Sequence, residues 1–316
     1  MTKIAIFGAF GQIASSIGAS LTDDEVVVLK DDSPLDGVAR DVEVAVGTNR
    51  GQRVQLLLDA APRLRWYHSA GAGVEHLVTL PHFRERGIML TNNSGAMSLP
   101  IAEHVIAMVL EAAKRLHLYR DQQHSSLWKE HRQAEIRGQT LVVFGLGSIG
   151  GETARLGAAL GMRVIGVRRS VEPMPGVERL FTPDHLADAA AEADYLAICA
   201  PLTSATKGAI SREVLARMKP TAWVINIARG PIIDEPALIE ALRAGTIGGA
   251  ALDALATEPL PADSPLWQME NVIVTPHSSN SSPFVRERSV ATFRENLRRY
   301  KAGEPLLNRV DLEAGY

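Results

Sequence analysis

The chain has 316 residues, of which 46% are hydrophobic and 22% charged, as in ordinary globular proteins, and this length predicts about two domains. Its formal net charge is −3, so it lacks the basic surplus typical of proteins that bind nucleic acid or anionic membranes. The single cysteine excludes an internal disulfide framework and is typical of proteins of the reducing cytoplasm.

The first part of the chain alternates short apolar runs with segments of helical spacing. The runs are "KIAIF", "EVVVL", "VEVAV", "LRWYHS" and "GIML", between Lys3 and Leu90. Strands that are apolar on both faces and joined by helices predict a parallel sheet covered on both sides. We therefore expect a small α/β domain here.

A glycine turn with Gly8 and Gly11 follows the first predicted strand, as at the start of a dinucleotide-binding unit, and Asp31 follows at about the separation of a ribose-binding acid. This opening resembles that of a malate dehydrogenase, but we find no matching histidine–aspartate pair or arginines further along the chain. The turn also lacks Gly-x-Gly, so we interpret it as part of a domain that shares the architecture without the cofactor. Because glycines and Gln12 interrupt the apolar start, a secretory signal is not expected.

Residues Leu99 to Gln122 predict one long and mostly apolar helix, with Pro100 where a helix can start. Since one domain cannot cover so apolar a helix, we expect it to bridge domains or to pack against a second copy of the chain as a homodimer. Histidines recur every seven residues at His117, His124 and His131. Without acidic or cysteine ligands close by, they predict a solvated helix face and no metal site.

Six further apolar runs alternate with helical segments between Thr140 and Pro276. They are "TLVVFG", "RVIGV", "DYLAICAP", "TAWVINIA", "GGAALDAL" and "NVIVTP". This series predicts a doubly wound parallel sheet of the Rossmann kind. Cys199 lies within one of the runs, so we expect a buried small side chain and not a nucleophile.

The last segment, "SPFVRERSVATFRENLRRY", is amphipathic, with these apolar side chains on one side: Val290, Phe293, Leu297 and Tyr300. We expect it to fold back on the first domain. The predicted fold is α/β, with two doubly wound parallel-sheet domains, a Rossmann cofactor domain being inserted in a discontinuous, flavodoxin-like substrate domain. The expected bounds are 99–282 for the cofactor domain and 1–98 plus 283–316 for the substrate domain, and we expect the active site in the cleft between them.

The loop after the first strand of the second series has a fuller dinucleotide-binding pattern. It reads Gly145, Leu146, Gly147, Ser148, Ile149, Gly150. The first glycine permits the tight turn, the second lets the pyrophosphate approach backbone N–H groups, and the third allows close packing of helix on strand. The strand before it, the helix after it and a second strand beyond are the context that the motif requires. We therefore expect this loop to bind the cofactor.

The chain resembles the D-isomer-specific 2-hydroxyacid dehydrogenases, in particular the glyoxylate and hydroxypyruvate reductases, in motifs that occur in the family's order. They are "SAGAGVEHL", "IAEHVIAMVL", the glycine loop, "APLTSATKG", "RMKP", "INIARGPIIDEPALIEALRAGTIGGAALDALATEPLP" and "SPLWQMENVIVTPHSS". The similarity covers essentially the whole chain, which is a stronger signal than a lone glycine motif. It implies NAD(P)-dependent reduction of a 2-keto acid to a D-2-hydroxy acid.

The residues after two of the predicted strands suit that chemistry. Reduction leaves negative charge on the carbonyl oxygen, so the site needs a cation, a proton donor and a group that binds the carboxylate. Arg229 follows "WVINIA" at the carboxyl end of a strand, and its fork of donors can bind the carboxylate and polarise the ketone. His277 follows "NVIVTP" at the same edge and can donate the proton, and Glu258 can bind the imidazole and favour its charged form. The resemblance implies these catalytic roles for the same residues.

Further substrate and cofactor contacts are implied by the resemblance. Besides Arg229 and His277, the substrate is expected to meet the backbone N–H groups of Ala72 and Gly73. The segments "DALATEP" and "HSSNSSP" depart from the family's usual residues, which leaves pocket shape and substrate choice open. The cofactor is expected to meet the following residues: Pro201, Thr206, Ile227, Ala228 and Asp253, the last at the nicotinamide carboxamide.

The residues after "MRVIGV" bear on the choice of cofactor. An NAD-selective Rossmann unit usually has an acid at the end of this strand, which binds the ribose 2′-hydroxyl. Here the residues are Arg168, Arg169 and Ser170, and neither Glu172 nor Glu178 stands at the ribose position. Guanidinium groups and a hydroxyl supply charge and donors for a 2′-phosphate. We therefore predict NADP(H) as the preferred cofactor, with NAD(H) possible.

The predicted function is reduction of a small 2-keto acid, with glyoxylate or hydroxypyruvate as the leading substrate, in a cytoplasmic homodimer without nucleic-acid or membrane partners. One alternative is a non-catalytic dinucleotide sensor or corepressor on the same fold. Retention of Arg229, Glu258 and His277 argues against it, since a sensor needs no proton donor. The other alternative is an NAD-linked dehydrogenase of a bulkier 2-hydroxy acid.

Overall fold

The computed structural model of the chain describes the following residues: 1–7, 23–29, 35, 37–47 and 51–315. The glycine turn at Gly8 and Gly11, with Asp31, lies outside them. The described chain forms two compact units, the first of Met1–Met97 with Ser282–Tyr316 and the second of Ser98–Ser281. No helix of the described residues is both long and apolar enough to span a membrane.

The first unit is built on a parallel sheet of five strands. In chain order the strands are β1 (Lys3–Phe7), β2 (Glu25–Leu29), β3 (Val44–Gly47), β4 (Trp66–Ser69) and β5 (Met89–Thr91). They lie side by side in the order β2-β1-β3-β4-β5, which is the flavodoxin-like order that the sequence predicted.

The second unit is built on a parallel sheet of seven strands. They are β6 (Thr140–Phe144), β7 (Arg163–Val167), β8 (Arg179–Phe181), β9 (Tyr195–Ile198), β10 (Trp223–Asn226), β11 (Gly249–Leu252) and β12 (Val272–Val274). Their spatial order, β12-β11-β10-β9-β6-β7-β8, reverses at β6 as in a Rossmann sheet, so the predicted fold class is confirmed.

Helices cover both sheets. In the described residues they are α1 (Gly51–Ala60), α2 (His82–Glu85), α3 (Ser98–Lys114), α4 (Leu116–His124), α5 (Ser148–Ala159), α6 (Leu186–Glu192), α7 (Arg212–Arg217), α8 (Glu235–Ala244) and α9 (Val285–Ala302).

Helix α9, near the end of the chain, covers one face of the first sheet. Its buried side chains Val290, Phe293 and Leu297 pack on these residues of the sheet: Ile4, Ile6, Val44, Val46 and Trp66. The Tyr300 ring stacks on the Trp66 ring at 5.5 Å between centroids. The apolar side of α9 is therefore the side that the sequence indicated, and a burial of this kind contributes roughly 1.5–3 kcal/mol for each large side chain.

Two expectations on local structure are wrong. The long helix is broken, because Arg115 between α3 and α4 adopts a left-handed conformation with φ of 56°. The apolar residues of α3 are mostly buried, and the helix packs against α5, β10 and β11 of its own unit.

The second sheet also has one more strand than expected. The sequence did not predict β8, because this strand, with Arg179 exposed and Phe181 half-buried, carries no continuous apolar run.

A fully buried histidine, His68, lies in β4. The Thr91 hydroxyl accepts a hydrogen bond from Trp66 Nε1 at 2.8 Å, and it lies 2.8 Å from His68 Nδ1. With the hydroxyl hydrogen donated to Nδ1, the imidazole is neutral and carries its proton on Nε2. Burial lowers the pKa of His68 from 6.5 to about 3.

This histidine predicts a pH-dependent stability. Because its pKa in the folded chain lies below 6.5, the unfolded chain gains a proton first as the pH falls. The free energy of unfolding should therefore decrease as the pH falls below about 6.5, and this residue should contribute up to ~1.4 kcal/mol of that decrease per pH unit. In urea unfolding at a series of pH values, His68→Gln should flatten this dependence, while His124→Gln at an exposed position should keep it. An unchanged pH dependence in His68→Gln would contradict the assignment.

Candidate functional site

The predicted cofactor loop lies between β6 and α5, and each of its glycines meets a different structural requirement. Gly145 has φ of 96°, and a Cβ there would lie 2.5 Å from the Ala200 backbone. A Cβ on Gly150 would lie 1.8 Å from the Gly145 carbonyl oxygen, so the helix packs directly on the turn. A Cβ on the exposed Gly147 would meet no described atom within 4 Å. Open space over this backbone fits a pyrophosphate.

The other residues of the loop agree with such a site. Gly147 is the N-cap residue of α5 and supplies no capping side chain to the first helical turn, which begins at Ser148. Backbone N–H groups at a helix start favour anions. Leu146 is buried against Gly166 of β7, which supports the loop, and Ile149 is half-buried in the first turn of α5. The donor set therefore fits a dinucleotide.

The residues predicted to choose between NADP and NAD follow β7. The backbone N–H of Arg168 donates to Phe181 O at 3.0 Å, so the unexpected strand β8 fixes the start of this segment. Arg168 is half-buried, whereas Arg169 and Ser170 are exposed. Ser170 Oγ accepts from the backbone N–H of Glu172 at 3.4 Å. The segment therefore presents basic side chains at the edge where β7 ends.

The loop after β9 is shaped by its own threonines. Thr206 Oγ1 donates to Pro201 O at 2.6 Å and accepts from the backbone N–H of Thr203 at 2.8 Å. These bonds give Thr206 a role in holding the loop. Cys199, just before the loop, has a pKa that burial raises to about 12, so it is protonated at neutral pH and unsuited to nucleophilic attack.

Arg229 stands at the end of β10 in a tightly bonded turn. Its Nη1 donates to Ala228 O at 2.7 Å, and Ile227 and Ala228 before it are buried. The fully buried Asn226 donates from Nδ2 to Arg229 O at 3.1 Å and to Ala254 O at 3.0 Å, while its Oδ1 accepts from the Ala228 N–H at 3.1 Å. Asn226 thus fixes the backbone that carries Arg229.

Sequence reasoning missed Asn226. The available signal was a lone amide side chain in the otherwise apolar run "WVINIA", since a buried polar group requires partners. Gly230 gives a second reason for the local geometry, because a Cβ there would lie 2.0 Å from the carbonyl carbon of Leu255. The turn after β10 therefore packs directly on the segment that leads to Glu258.

Glu258 and His277 form a hydrogen-bonded pair after β11 and β12. Glu258 Oε2 lies 2.8 Å from His277 Nδ1, and Glu258 Oε1 accepts from the backbone N–H of Leu255 at 3.0 Å. A carboxylate only accepts hydrogen bonds, so Nδ1 carries hydrogen and Nε2 is left for a ligand. Both side chains are 38% exposed, and a substrate can therefore reach the imidazole.

Asp253 binds residues on both sides of His277. Its Oδ1 accepts from the Thr275 hydroxyl at 2.6 Å and from the Ser278 N–H at 2.9 Å, and its Oδ2 accepts from the Ser279 N–H at 3.1 Å. Burial alone would raise the pKa of Asp253, but these hydrogen bonds together lower it. The ionised carboxylate thereby supports His277 at its left-handed φ of 50°. The contact of Asp253 with a nicotinamide stays a prediction.

The structure brings Arg229, Glu258 and His277 to the carboxyl edge of the adjacent strands β10, β11 and β12. The cofactor loop lies at the carboxyl end of β6 in the same sheet. Ala72 and Gly73 belong to the first unit, in the loop after β4. No metal-binding group of three or more His, Cys, Asp or Glu residues occurs in the described parts of the chain.

Comparison with known proteins gives a consistent result. The model of the "D-isomer specific 2-hydroxyacid dehydrogenase, NAD binding domain" family matches residues 106–279. The chain is 34% identical over 267 residues to a glyoxylate reductase of Korarchaeum cryptofilum, covering 81% of this chain and 79% of that protein.

Two similar solved structures carry a bound cofactor. A D-isomer specific 2-hydroxyacid dehydrogenase from Xanthobacter autotrophicus Py2, in complex with NADPH and MES, has a TM-score of 0.88 and 32% identity over 100% of this chain and 99% of that chain. An NADPH-dependent glyoxylate/hydroxypyruvate reductase from Sinorhizobium meliloti, in complex with NADP and sulfate, has a TM-score of 0.86 and 28% identity over 100% of both chains.

Proposed function

The chain belongs to the D-isomer specific 2-hydroxyacid dehydrogenase family, and on this premise we propose that it reduces a small 2-keto acid, glyoxylate or hydroxypyruvate, with NADPH. The Glu258–His277 hydrogen bond of 2.8 Å is the observation that carries the proposal, because a pure binding protein needs no oriented proton donor. The second unit is the cofactor domain, the first is the substrate domain, and we assign the protein to the cytoplasm.

Each residue has a defined role in the proposed reaction. The nicotinamide, when bound, supplies the hydride. Arg229 binds the substrate carboxylate and stabilises charge on the ketone oxygen, and backbone N–H groups of Ala72 and Gly73 bind the carboxylate. Glu258 accepts from His277 Nδ1 and favours the charged imidazolium, whose second proton, on Nε2, is donated to the ketone oxygen. Reversal of these steps oxidises the 2-hydroxy acid, with His277 as the base.

The test is NADPH oxidation by the purified protein with a panel of 2-keto acids of increasing size. We expect turnover with the highest kcat/KM for glyoxylate or hydroxypyruvate. NADPH binding without turnover of any acid would favour the sensor or corepressor. A preference for NADH and a larger acid would favour the dehydrogenase of a bulkier substrate.

The cofactor preference is a separate prediction. Arg168 and Arg169 offer charge to a 2′-phosphate, and the two solved relatives bind NADPH or NADP. Loss of such a charge-assisted contact costs about 1.5–3 kcal/mol, so we expect kcat/KM to be roughly ten- to a hundred-fold higher with NADPH than with NADH. The variant Arg168→Asp with Arg169→Ala should lose this ratio, whereas Arg155→Ala, at an exposed position of α5, should keep it. An unchanged ratio in the double variant would contradict the proposal.

We also propose that the protein is a homodimer, through a surface other than the covered helix α3. The strongly exposed apolar side chains of the second unit include Leu116 at 52%, at the start of α4, and the adjacent Leu127 at 52% and Trp128 at 98%. Exposed apolar side chains such as Leu127 and Trp128, next to each other in the chain, suit an interaction surface, and a second copy of the chain would cover it.

Light scattering at micromolar concentration tests the dimer. The wild-type protein should have the mass of a dimer, and Trp128→Glu should weaken association by about a hundred-fold or more, as for a buried aromatic anchor. Trp267→Glu, at a 49% exposed tryptophan of the same unit, is the matched control and should leave the mass unchanged. A stable wild-type monomer would contradict the proposal.

A further inference from the structure

The loop after β4 has consecutive carbonyl groups that are all held by Asn92 and Asn93. Asn93 Nδ2 donates to Ala70 O at 3.1 Å, and the backbone N–H of Asn93 donates to Gly71 O at 3.1 Å. Asn92 Nδ2 donates to Ala72 O at 2.9 Å. All of these residues belong to the first unit. The carbonyl side of this loop is therefore fixed by the segment that follows β5.

These bonds determine where the N–H groups of the loop point. In a planar trans peptide the carbonyl of one residue and the N–H of the next point in opposite directions. Holding the Gly71 carbonyl therefore orients the N–H of Ala72, and holding the Ala72 carbonyl orients the N–H of Gly73. Both N–H groups are directed away from the asparagines, and they are the groups that the proposed function assigns to the substrate carboxylate.

The amide orientation of each asparagine follows from its partners. Asn92 Oδ1 accepts from the Ser94 N–H at 3.1 Å, which leaves Nδ2 for Ala72 O. Asn93 Nδ2 also donates to Ser289 Oγ at 2.5 Å. The Ser289 hydroxyl donates to Val285 O at 2.7 Å, so its oxygen is an acceptor toward Asn93. A flipped Asn93 amide would place oxygen against oxygen.

The asparagine segment is itself held by the end of the chain. Asn308 Nδ2 donates to Ser94 O at 2.7 Å and to Asn92 O at 3.3 Å, and the Asn92 N–H donates to Asn308 O at 3.1 Å. Asn93 is fully buried and Asn92 is 9% exposed. Helix α9 and the segment after it therefore stabilise the carbonyl side of the loop through these asparagines.

We propose that Asn92 and Asn93 are positioning residues for substrate recognition, which hold the N–H groups of Ala72 and Gly73 in the orientation that binds the carboxylate of a 2-keto acid. The inference rests on the proposed function and extends it to residues that touch neither substrate nor cofactor. It also gives a reason for the hydrogen bonds of this loop, because a loop without them would have to be ordered at each binding event.

The test is Asn92→Asp, which keeps an oxygen for the Ser94 N–H but places a carboxylate oxygen against Ala72 O. We expect KM for glyoxylate and the dissociation constant of the inert analogue oxamate to rise ~10–100-fold. This is the effect of losing one hydrogen bond from the loop to the charged carboxylate. The dissociation constant of NADPH should stay unchanged and kcat should fall by less than about threefold, since binding that is equal in ground and transition states affects KM. If circular dichroism shows that Asn92→Asp does not fold, Asn92→Ser is used in its place, and the same effects are expected.

The matched control is Asn296→Asp. Asn296 is fully buried in the same unit and has a similar pair of bonds, donating to Leu307 O at 3.0 Å and accepting from the Leu307 N–H at 2.7 Å, without a bond to the loop. An equal rise of KM in both variants, or an unchanged KM in Asn92→Asp, would overturn the positioning role. A wild-type protein that neither reduces a 2-keto acid nor binds oxamate would instead overturn the proposed function, and the positioning role with it.

Discussion

Replacement of His277 by asparagine is expected to lower kcat by ~10²–10⁴-fold, the usual contribution of a positioned acid–base group. His277 has φ of 50°, a conformation that asparagine tolerates and alanine adopts with strain. His277→Asn therefore removes the proton donor with little change in the backbone that Asp253 holds. The dissociation constant of NADPH should be unchanged, because the glycine loop at the end of β6 is not altered.

Two further variants separate chemistry from folding. Glu258→Gln should lower kcat less than His277→Asn, because the amide can still accept a hydrogen bond from Nδ1 but supplies no negative charge beside the imidazolium that donates the Nε2 proton. His185→Asn, at an exposed histidine of the same unit, should leave kcat unchanged. Near-native turnover in His277→Asn would show that another group delivers the proton.

Replacement of Arg229 by alanine is expected to lower kcat/KM by ~10²–10⁴-fold, equivalent to about 3–5 kcal/mol for the loss of one partner of a buried charge pair. Both KM and kcat should change, since the guanidinium meets the carboxylate in the ground state and the ketone oxygen in the transition state. Arg229→Lys keeps the charge but loses the planar fork, so it should recover only part of the loss.

The control for this variant is Arg243→Ala, on the exposed face of α8 in the same unit. It should keep both kinetic constants. If Arg229→Ala raised KM alone and left kcat at the wild-type value, Arg229 would bind the carboxylate without stabilising the transition state. The proposed double role would then be wrong.

The sequence was sufficient for the features that depend on local pattern. Apolar runs joined by helices predict parallel sheets, and Gly145, Gly147 and Gly150 have the spacing of a cofactor loop because each position has its own steric requirement. The segment after β10 predicts Arg229 at the sheet edge, since the carboxyl ends of parallel strands share one side. These predictions need no knowledge of contacts between distant segments.

Other features depend on contacts that no local pattern encodes. Strand β8 is half-covered, and it is recognisable only by its pairing with β7 at the edge of the sheet. The break of the long helix at Arg115 is a backbone conformation, whereas periodicity reports only which faces are apolar. The roles of Asn92 and Asn226 follow from the carbonyl groups they meet, and an asparagine in a sequence does not identify its partners.

The central claim is that the chain transfers a hydride to the carbonyl carbon of a 2-keto acid and gives the D product. It is tested most directly by reducing hydroxypyruvate with NADPH deuterated at the transferred position, followed by mass spectrometry and chiral analysis of the glycerate. We expect one deuterium on the hydroxyl-bearing carbon of D-glycerate, and ~10²–10⁴-fold less of this deuterated product from a His277→Asn reaction run for the same time. Glycerate without deuterium, L-glycerate, or cofactor binding without any product would contradict it.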